Sequence, residues 1–474
     1  MQDTKVTSNP SPRGGRWRGA SFHIGGVHPA ENKLSAAEPI RVAALPKQAV
    51  FSMFQHIGAP AVPVVKKGDE VKVGTLLGEA GKGLSVPVFS SVSGKVNKVD
   101  AVLDSSGTRR MAVIVDVEGD EWLETIDRSD KLVTMKDLGG ITAEEVVSRI
   151  KAAGIVGMGG ATFPTGVKLM PPPGTKAEAI IVNAVECEPY LTADHRLMLE
   201  KPEQILVGIQ LIKHAVNCPK AYIGIEMNKP DAIALMQNLL KEKAAQYPGI
   251  EVVPLKVKYP QGGEKQLIDA VIGRQVPAPP ALPINVGAIV QNVGTVYAIY
   301  EAVTKNKPLI ERIITVTGKS VARPSNFLAR IGTPMQQLID EAGGLPEDTG
   351  KIIGGGPMMG RALMSLEVPV TKGSSGLLLM TQKESRRGEV SPCIRCAKCV
   401  SACPMGLEPY LLASYARLKD WDGCEKNDVT SCIECGSCAF TCPSNRPLLD
   451  NIRVAKQTVM GIIKARHMEA ISKK

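Results

Sequence analysis

No stretch of the sequence is apolar for long enough to span a bilayer, which needs about 20 such residues. Residues 1–20 are rich in Arg, Gly and Pro and hold no apolar run that could serve as a secretory leader. Aromatics make up only 4% of the 474 residues and no basic patch is interleaved with them, so the stacking platforms that hold single-stranded nucleic acid are missing. Nucleic acid is therefore not an expected partner. Histidine is scarce, six in all, with no pair at metal-ligand spacing. There is no Ser/His/Asp arrangement, and no catalytic nucleophile or general base is expected. Both the G-x-G-x-x-G dinucleotide fingerprint and the P-loop pattern are absent.

What the chain does have is cysteine, eight of its eleven in two copies of one pattern. The first is Cys393-x2-Cys396-x2-Cys399-x3-Cys403-Pro404 and the second Cys432-x2-Cys435-x2-Cys438-x3-Cys442-Pro443. Three thiolates at i, i+3 and i+6 on a curling loop face one iron-sulfur cube, and the fourth is carried beyond reach, to the other cluster of a two-cluster protein. This assigns Cys393, Cys396, Cys399 and Cys442 to one [4Fe-4S] centre (cluster 1) and Cys403, Cys432, Cys435 and Cys438 to the second (cluster 2). Four-thiolate zinc and disulfides are the alternatives. Zinc sites pair two C-x2-C units, disulfides need an oxidising compartment, and two triplets each followed by Cys-Pro suit a cube better. With its thiols kept for clusters the protein belongs in a reducing cytoplasm. Cys187, Cys218 and Cys424 fit no ligand pattern and read as small buried thiols.

The formal net charge of +10 is concentrated at the ends. Residues 451–474 hold six cations against Glu469, and the first twenty hold four against Asp3. Such ends suit an anionic membrane surface or an acidic protein, or serve only as solubilising tails.

The length predicts three or four domains. Residues 1–20 read as a basic tail and 21–125 as short strands separated by Gly and Pro. There, residues 64–77 and 91–96 resemble the two halves of a biotinyl/lipoyl-type barrel-sandwich hybrid. Lys82 is the only lysine near the expected hairpin, and the carrier sequence around it is missing. Over 135–305 helical and strand patterns alternate: a helix over 143–153, a strand over 179–182, a helix over 202–215, a strand over 221–225 and a helix over 231–243. This argues for an α/β layer with a largely parallel sheet. A small αβ unit follows at 308–365, the cysteine module at 380–450 and a basic helix at 451–474 with Ile452, Ala455, Val459, Ile462 and Ile463 on one side.

The α/β region opens on Gly157-Met158-Gly159-Gly160-Ala161-Thr162-Phe163-Pro164-Thr165-Gly166-Val167-Lys168. Glycines let backbone N–H groups approach a phosphate, and a following lysine adds charge. This loop resembles the G-x-G-G-x-G-F-P-T-G-x-K motif of the NADH-oxidising flavin subunit of respiratory complex I. Three further segments agree in order: 183–189 (N-A-V-E-C-E-P), 259–264 (Y-P-Q-G-G-E) and 291–295 (Q-N-V-G-T). With Gly25-Gly26-Val27-His28-Pro29, a β-grasp unit similar to SLBB domains and the two ferredoxin motifs, the whole order resembles the RnfC family, the C subunits of Rnf (Rsx) electron transport complexes.

That resemblance implies a peripheral subunit on the cytoplasmic face of the bacterial inner membrane, in an ion-translocating NADH/ferredoxin oxidoreductase. Its partners would be the other subunits of the complex, a ferredoxin-type subunit among them, and its cofactors FMN and two [4Fe-4S] clusters, with NAD(H) as substrate. Carried over by position, it places Gly157, Gly159, Gly160, Lys168, Asn183, Glu186, Asn292 and Thr295 around FMN, and Phe163, Glu188, Tyr259 and Glu264 at NADH. The chain departs from the motifs where Met158 replaces a basic residue, Thr162 a glycine, Val185 an acid, and Gly263 and Gly294 glutamates. Two other readings share parts of the pattern: a soluble corrinoid- or amino-acid-reductase electron subunit, and an electron relay without NADH activity.

Overall fold

The computed structural model describes residues 19–472. Nearly all of the expected N-terminal tail, with its basic residues, lies outside the described residues, as do Lys473 and Lys474.

Strands Ala179–Asn183, Ala221–Glu226, Ile250–Leu255 and Ala288–Asn292 form the parallel sheet expected of the central region. Their near-continuous apolar runs suit a sheet covered on both faces. The spatial order is Ile250–Leu255, Ala221–Glu226, Ala179–Asn183, Ala288–Asn292. The first three strands march outward, and the last returns to pair with the strand that began the series. The crevice for a ligand opens at the carboxyl ends where the order reverses. There, Asn183 and Asn292 sit opposite each other in register.

Two antiparallel sheets built from strands between residues 48 and 117 form the barrel-sandwich layer. Lys82 is exposed in a bend between Leu76–Glu79 and Val88–Phe89. The β-grasp unit reaches beyond the expected 308–365. Its six-stranded sheet pairs Glu311–Thr317 in parallel with Gly376–Thr381 and takes Ile40–Val42 from the N-terminal part as an edge. The reason is physical: Leu377, Leu378 and Leu379 are buried, and Leu377 and Leu378 pair with both Glu311–Thr317 and Thr349–Gly354, so the sheet needs that strand at its centre.

Helices Pro409–Leu418, Trp421–Lys426 and Leu448–Ser472 pack around the cysteine loops. The terminal helix starts earlier than expected, and only the first half of its apolar side is covered. Ile452, Ala455 and Val459 are buried, whereas Ile463 is 39% exposed because the module it packs on has ended.

Candidate functional site

The glycine loop closes on itself through Gly157 N–H to Phe163 O, 2.8 Å. A Cβ on Gly160, at φ +130°, would meet nothing within 4 Å, so the tip is open, while one on Gly159 would touch Asn292. Asn292 caps helix Val293–Lys305 by accepting from the Gly294 and Thr295 N–H groups, and its amide donates to Asp194 Oδ2 at 2.7 Å. Thr295 Oγ1 accepts from Met158 N–H at 2.8 Å. Asn183 donates to Gly262 O at 2.8 Å, and Lys168 pairs with Glu264 at 2.6 Å. The glycines, Lys168, Asn183, Asn292 and Thr295 thus gather at the crevice, where an open glycine tip beside a helix N-terminus suits a phosphate. Phe163 is half-buried at the loop's base.

Glu186 takes another role. Its carboxylate accepts from Asp194 N–H at 2.7 Å and His195 N–H at 3.2 Å, capping helix Ala193–Glu200. Burial and the nearby Glu186 charge push Asp194 up to about 7.

Glu188 and Tyr259 are engaged with other domains. The Glu188 carboxylate accepts from Met358 N–H at 3.1 Å and Met359 N–H at 2.7 Å, in the turn after the Gly-rich β-grasp segment. A Cβ on Gly356 would fall 2.2 Å from Glu188 Oε2, so only glycine lets that turn close. Burial raises Glu188 to about 6, against the pull of those two N–H groups. Tyr259 Oη donates to Cys435 O at 2.8 Å and lies 3.4 Å from Glu188 Oε1. Of the four residues expected at NADH, these two latch the flavin-type domain to the β-grasp turn and the second cysteine loop.

The two cysteine runs repeat in conformation as well as sequence. Arg395 and Ala397 have left-handed φ two and four residues after Cys393, and Glu434 and Gly436 do so after Cys432. One cavity is lined by Cys403, Cys432, Cys435 and Cys438 together with apolar side chains such as Leu412 and Ile452. Burial pushes Cys432 up to about 11 and Cys438 higher still, with the neighbouring thiols adding to the rise. Four such groups fit a metal-sulfur core whose positive charge would offset the thiolates. Cys442 lies close enough to Cys399 to raise it, after burial. Each run thus sets one cysteine beside cysteines of the other run. Among the described residues, no three His, Cys, Asp or Glu side chains converge on a single-ion position. The two sets differ in exposure: Cys403, Cys435 and Cys438 are buried, whereas Cys393 and Cys396 are exposed.

Comparison with known proteins agrees with this architecture. Residues 150–301 match the Nuo51 FMN-binding domain, 20–120 the RnfC barrel sandwich hybrid domain and 313–362 the SLBB domain. The C subunit of the Na+-translocating ferredoxin:NAD+ oxidoreductase complex of Acetobacterium woodii is 44% identical over 438 residues, 92% of this chain and 96% of that protein. The chain belongs to the RnfC family. The counterpart from the proton-translocating ferredoxin:NAD+ oxidoreductase complex of Clostridium ljungdahlii is 45% identical over 391 residues, covering 82% of this chain and 83% of the relative. The C subunit of the ion-translocating oxidoreductase complex of Rhodobacter capsulatus is 39% identical over 441 residues, covering 92% of this chain and 83% of the relative.

Against that RnfC background, two groups and the target of one recognised segment were not legible in the sequence. Arg312, buried in the β-grasp unit, donates to Ser374 O at 2.9 Å and approaches Met158 O at 3.4 Å. A Cβ on Gly294 would lie 3.6 Å from Arg312 Nη1. A cation from another domain thus stands beside Met158 and Gly294, two of the five positions where this chain departs from the flavin motif. Burial lowers Arg312 to about 10, partly offset by Asp194, and it stays charged at neutral pH. Lys33 donates to the carbonyls of Glu186, Glu188 and Leu191 at 2.7–2.9 Å. The recognised segment is Gly25–Pro29, whose partner the sequence did not show. Gly26 N–H donates to Ala402 O at 3.0 Å and Val27 exchanges backbone bonds with Tyr259, so this strap joins the flavin-type domain to the Cys403 loop. An Arg early in an apolar strand was the one available hint of Arg312. Nothing local marks Lys33 or the strap's target.

Proposed function

We propose that this chain passes electrons between NAD(H) and a one-electron partner through FMN and two [4Fe-4S] clusters, as a peripheral subunit of an ion-translocating complex. FMN, when bound, supplies the conversion between a two-electron hydride donor and one-electron centres. The protein holds it with Gly157, Gly159, Gly160, Lys168, Asn183, Asn292 and Thr295, with Arg312 adding charge. Phe163 and Glu264 flank the nucleotide side, while Glu188 and Tyr259 hold the second cysteine loop against the flavin-type domain. Cys403, Cys432, Cys435 and Cys438 carry the inner cluster; Cys393, Cys396, Cys399 and Cys442 carry the outer one. Among the described residues no helix is long and apolar enough to cross a membrane, so attachment through the other subunits is the reading adopted.

The observation that carries this is the Tyr259 Oη to Cys435 O bond at 2.8 Å, which ties the inner cluster's loop to a residue of the flavin motif. The same bond favours a second reading, a relay without NADH activity, because it and the Glu188 contacts occupy two residues the resemblance assigned to NADH. Anaerobic reconstitution with iron, sulfide and FMN, followed by NADH titration, separates the two. Flavin bleaching and cluster reduction with about eight irons per chain supports the first; loaded clusters with no NADH response supports the relay.

A further inference from the structure

The outer cysteine loop sits in an unusual surface. Residues 386–398 are exposed without interruption. Within this run Ile394 is 67% exposed and Val390 60%, and Phe440, two residues before Cys442, is 54% exposed. The run carries four cations, Arg386, Arg387, Arg395 and Lys398, against Glu389 alone. Arg387 is paired with Asp450 at 2.6 Å, but among the described residues no carboxylate pairs with Arg386, Arg395 or Lys398. The inner loop presents the opposite picture. Cys403, Cys435 and Cys438 are buried and Cys432 is partly buried, and the loop is held by the strap, by Tyr259, by Gln266 donating to Pro404 O at 3.2 Å, and by Met358 O packed against Gly436. One end of the module is closed against the flavin-type domain and the other is open, apolar at its centre and cationic around it. Small transient interfaces for electron transfer have this anatomy, with charge guiding encounter and an apolar patch making the contact.

We propose that the face formed by Val390, Ile394 and Phe440 with Arg386, Arg395 and Lys398 docks an acidic protein carrying a one-electron iron-sulfur centre. The proposal rests on the electron-transfer reading above. One electron passes between the outer cluster and the partner's centre, the one gaining what the other loses, with no bond made or broken. The cationic rim selects a carboxylate-rich surface, and the side chains of Ile394 and Phe440 close on it beside the cluster ligands.

The test uses the full chain with its clusters loaded and, as probe, an acidic ferredoxin with two [4Fe-4S] clusters. Calorimetric binding is compared at 50 and 300 mM salt (about 14 and 6 Å screening lengths) for the native chain, Arg395→Glu/Lys398→Glu, and the control Lys464→Glu on the terminal helix. The native chain and control are expected to bind the probe with affinity that falls with salt, and the double variant to bind at least about tenfold more weakly at 50 mM. Because Arg395 and Lys398 lie within the cysteine loop, Arg386→Glu, outside it, provides a second reading: at least about threefold weaker binding with the outer cluster's EPR signal unchanged. Equal affinity in all variants, or no binding by the native chain, overturns the proposal. NADH reduction of the chain's own clusters is recorded alongside. Its absence in the native chain defeats the electron-transfer reading, whereas the binding arms still decide the docking face.

Discussion

Replacing Gly25 with alanine should release the strap from the inner cysteine loop. Gly25 has φ +68°, and an added Cβ would lie 2.4 Å from Cys403 O, 2.5 Å from Cys403 C and 2.8 Å from Pro404 N, all backbone atoms. The left-handed conformation costs an L-residue about 1–2 kcal/mol, and forcing a methyl into packed backbone adds about 1–3 kcal/mol. The total of about 2–5 kcal/mol corresponds to a rise of about 30-fold to several thousandfold in the local opening equilibrium, and an equal loss of exchange protection. The assay is amide hydrogen exchange at Gly26 and Val27, which donate to Ala402 O and Tyr259 O, with the inner cluster's EPR spectrum recorded on the same samples. Gly68→Ala is the control. Gly68 also has positive φ, +95°, but nothing lies within 4 Å of its Cβ position, so it incurs only the conformational cost, in the barrel-sandwich layer. The reasoning is refuted if Gly26 and Val27 keep native protection in Gly25→Ala.

Glu188→Ala strips the Met358 and Met359 N–H groups of their acceptor, at about 1–3 kcal/mol. Faster exchange at both amides, with a shifted inner-cluster spectrum and an unchanged outer one, is the expected result. Asp194 has its folded pKa raised from 3.8 to about 7 by burial and the Glu186 charge. Its native state therefore holds the proton more tightly than the unfolded chain, and this contribution is full below about pH 4 and lost as pH rises toward 7. Urea midpoints at pH 4 and 8 should show the native chain losing stability relative to Asp194→Asn over that window; a constant difference would contradict the assignment. Arg312→Met removes the cation beside the glycine loop and should weaken FMN binding about tenfold, on the scale of one charge-assisted hydrogen bond, read from quenching of flavin fluorescence.

The cysteine module was the most legible part of the sequence because its chemistry is written in spacing. The i, i+3, i+6 repeat picks out the eight cysteines without any tertiary knowledge, and the left-handed residues after Cys393 and Cys432 follow the same repeat. The parallel sheet was legible from buried runs such as Ala179–Asn183, whose apolar continuity needs no partner to be recognised. The partners of Glu186, Glu188 and Tyr259 were not, because they are set by tertiary contacts that no motif encodes. Glu186 caps a helix in its own domain, Glu188 meets a turn some 170 residues on, and Tyr259 meets Cys435. Arg312 was hidden for the same reason, since a strand in a different unit supplies it to the glycine loop. Motif order carried the domain sequence; contacts between domains had no local signature. The relatives named for Na+ and for protons are 44% and 45% identical to this chain, so its resemblance to either does not separate the two ions.

The central claim is that the inner cluster stands between the flavin site and the outer cluster. It is tested most directly by mixing NADH with FMN-loaded native chain and with Cys403→Ser, freezing at millisecond intervals and recording EPR spectra of both clusters. In the native chain the inner cluster should be reduced no later than the outer one. In Cys403→Ser, which loses an inner ligand, the flavin should still bleach while the outer cluster stays oxidised. Reduction of the outer cluster at the native rate in that variant would contradict the account.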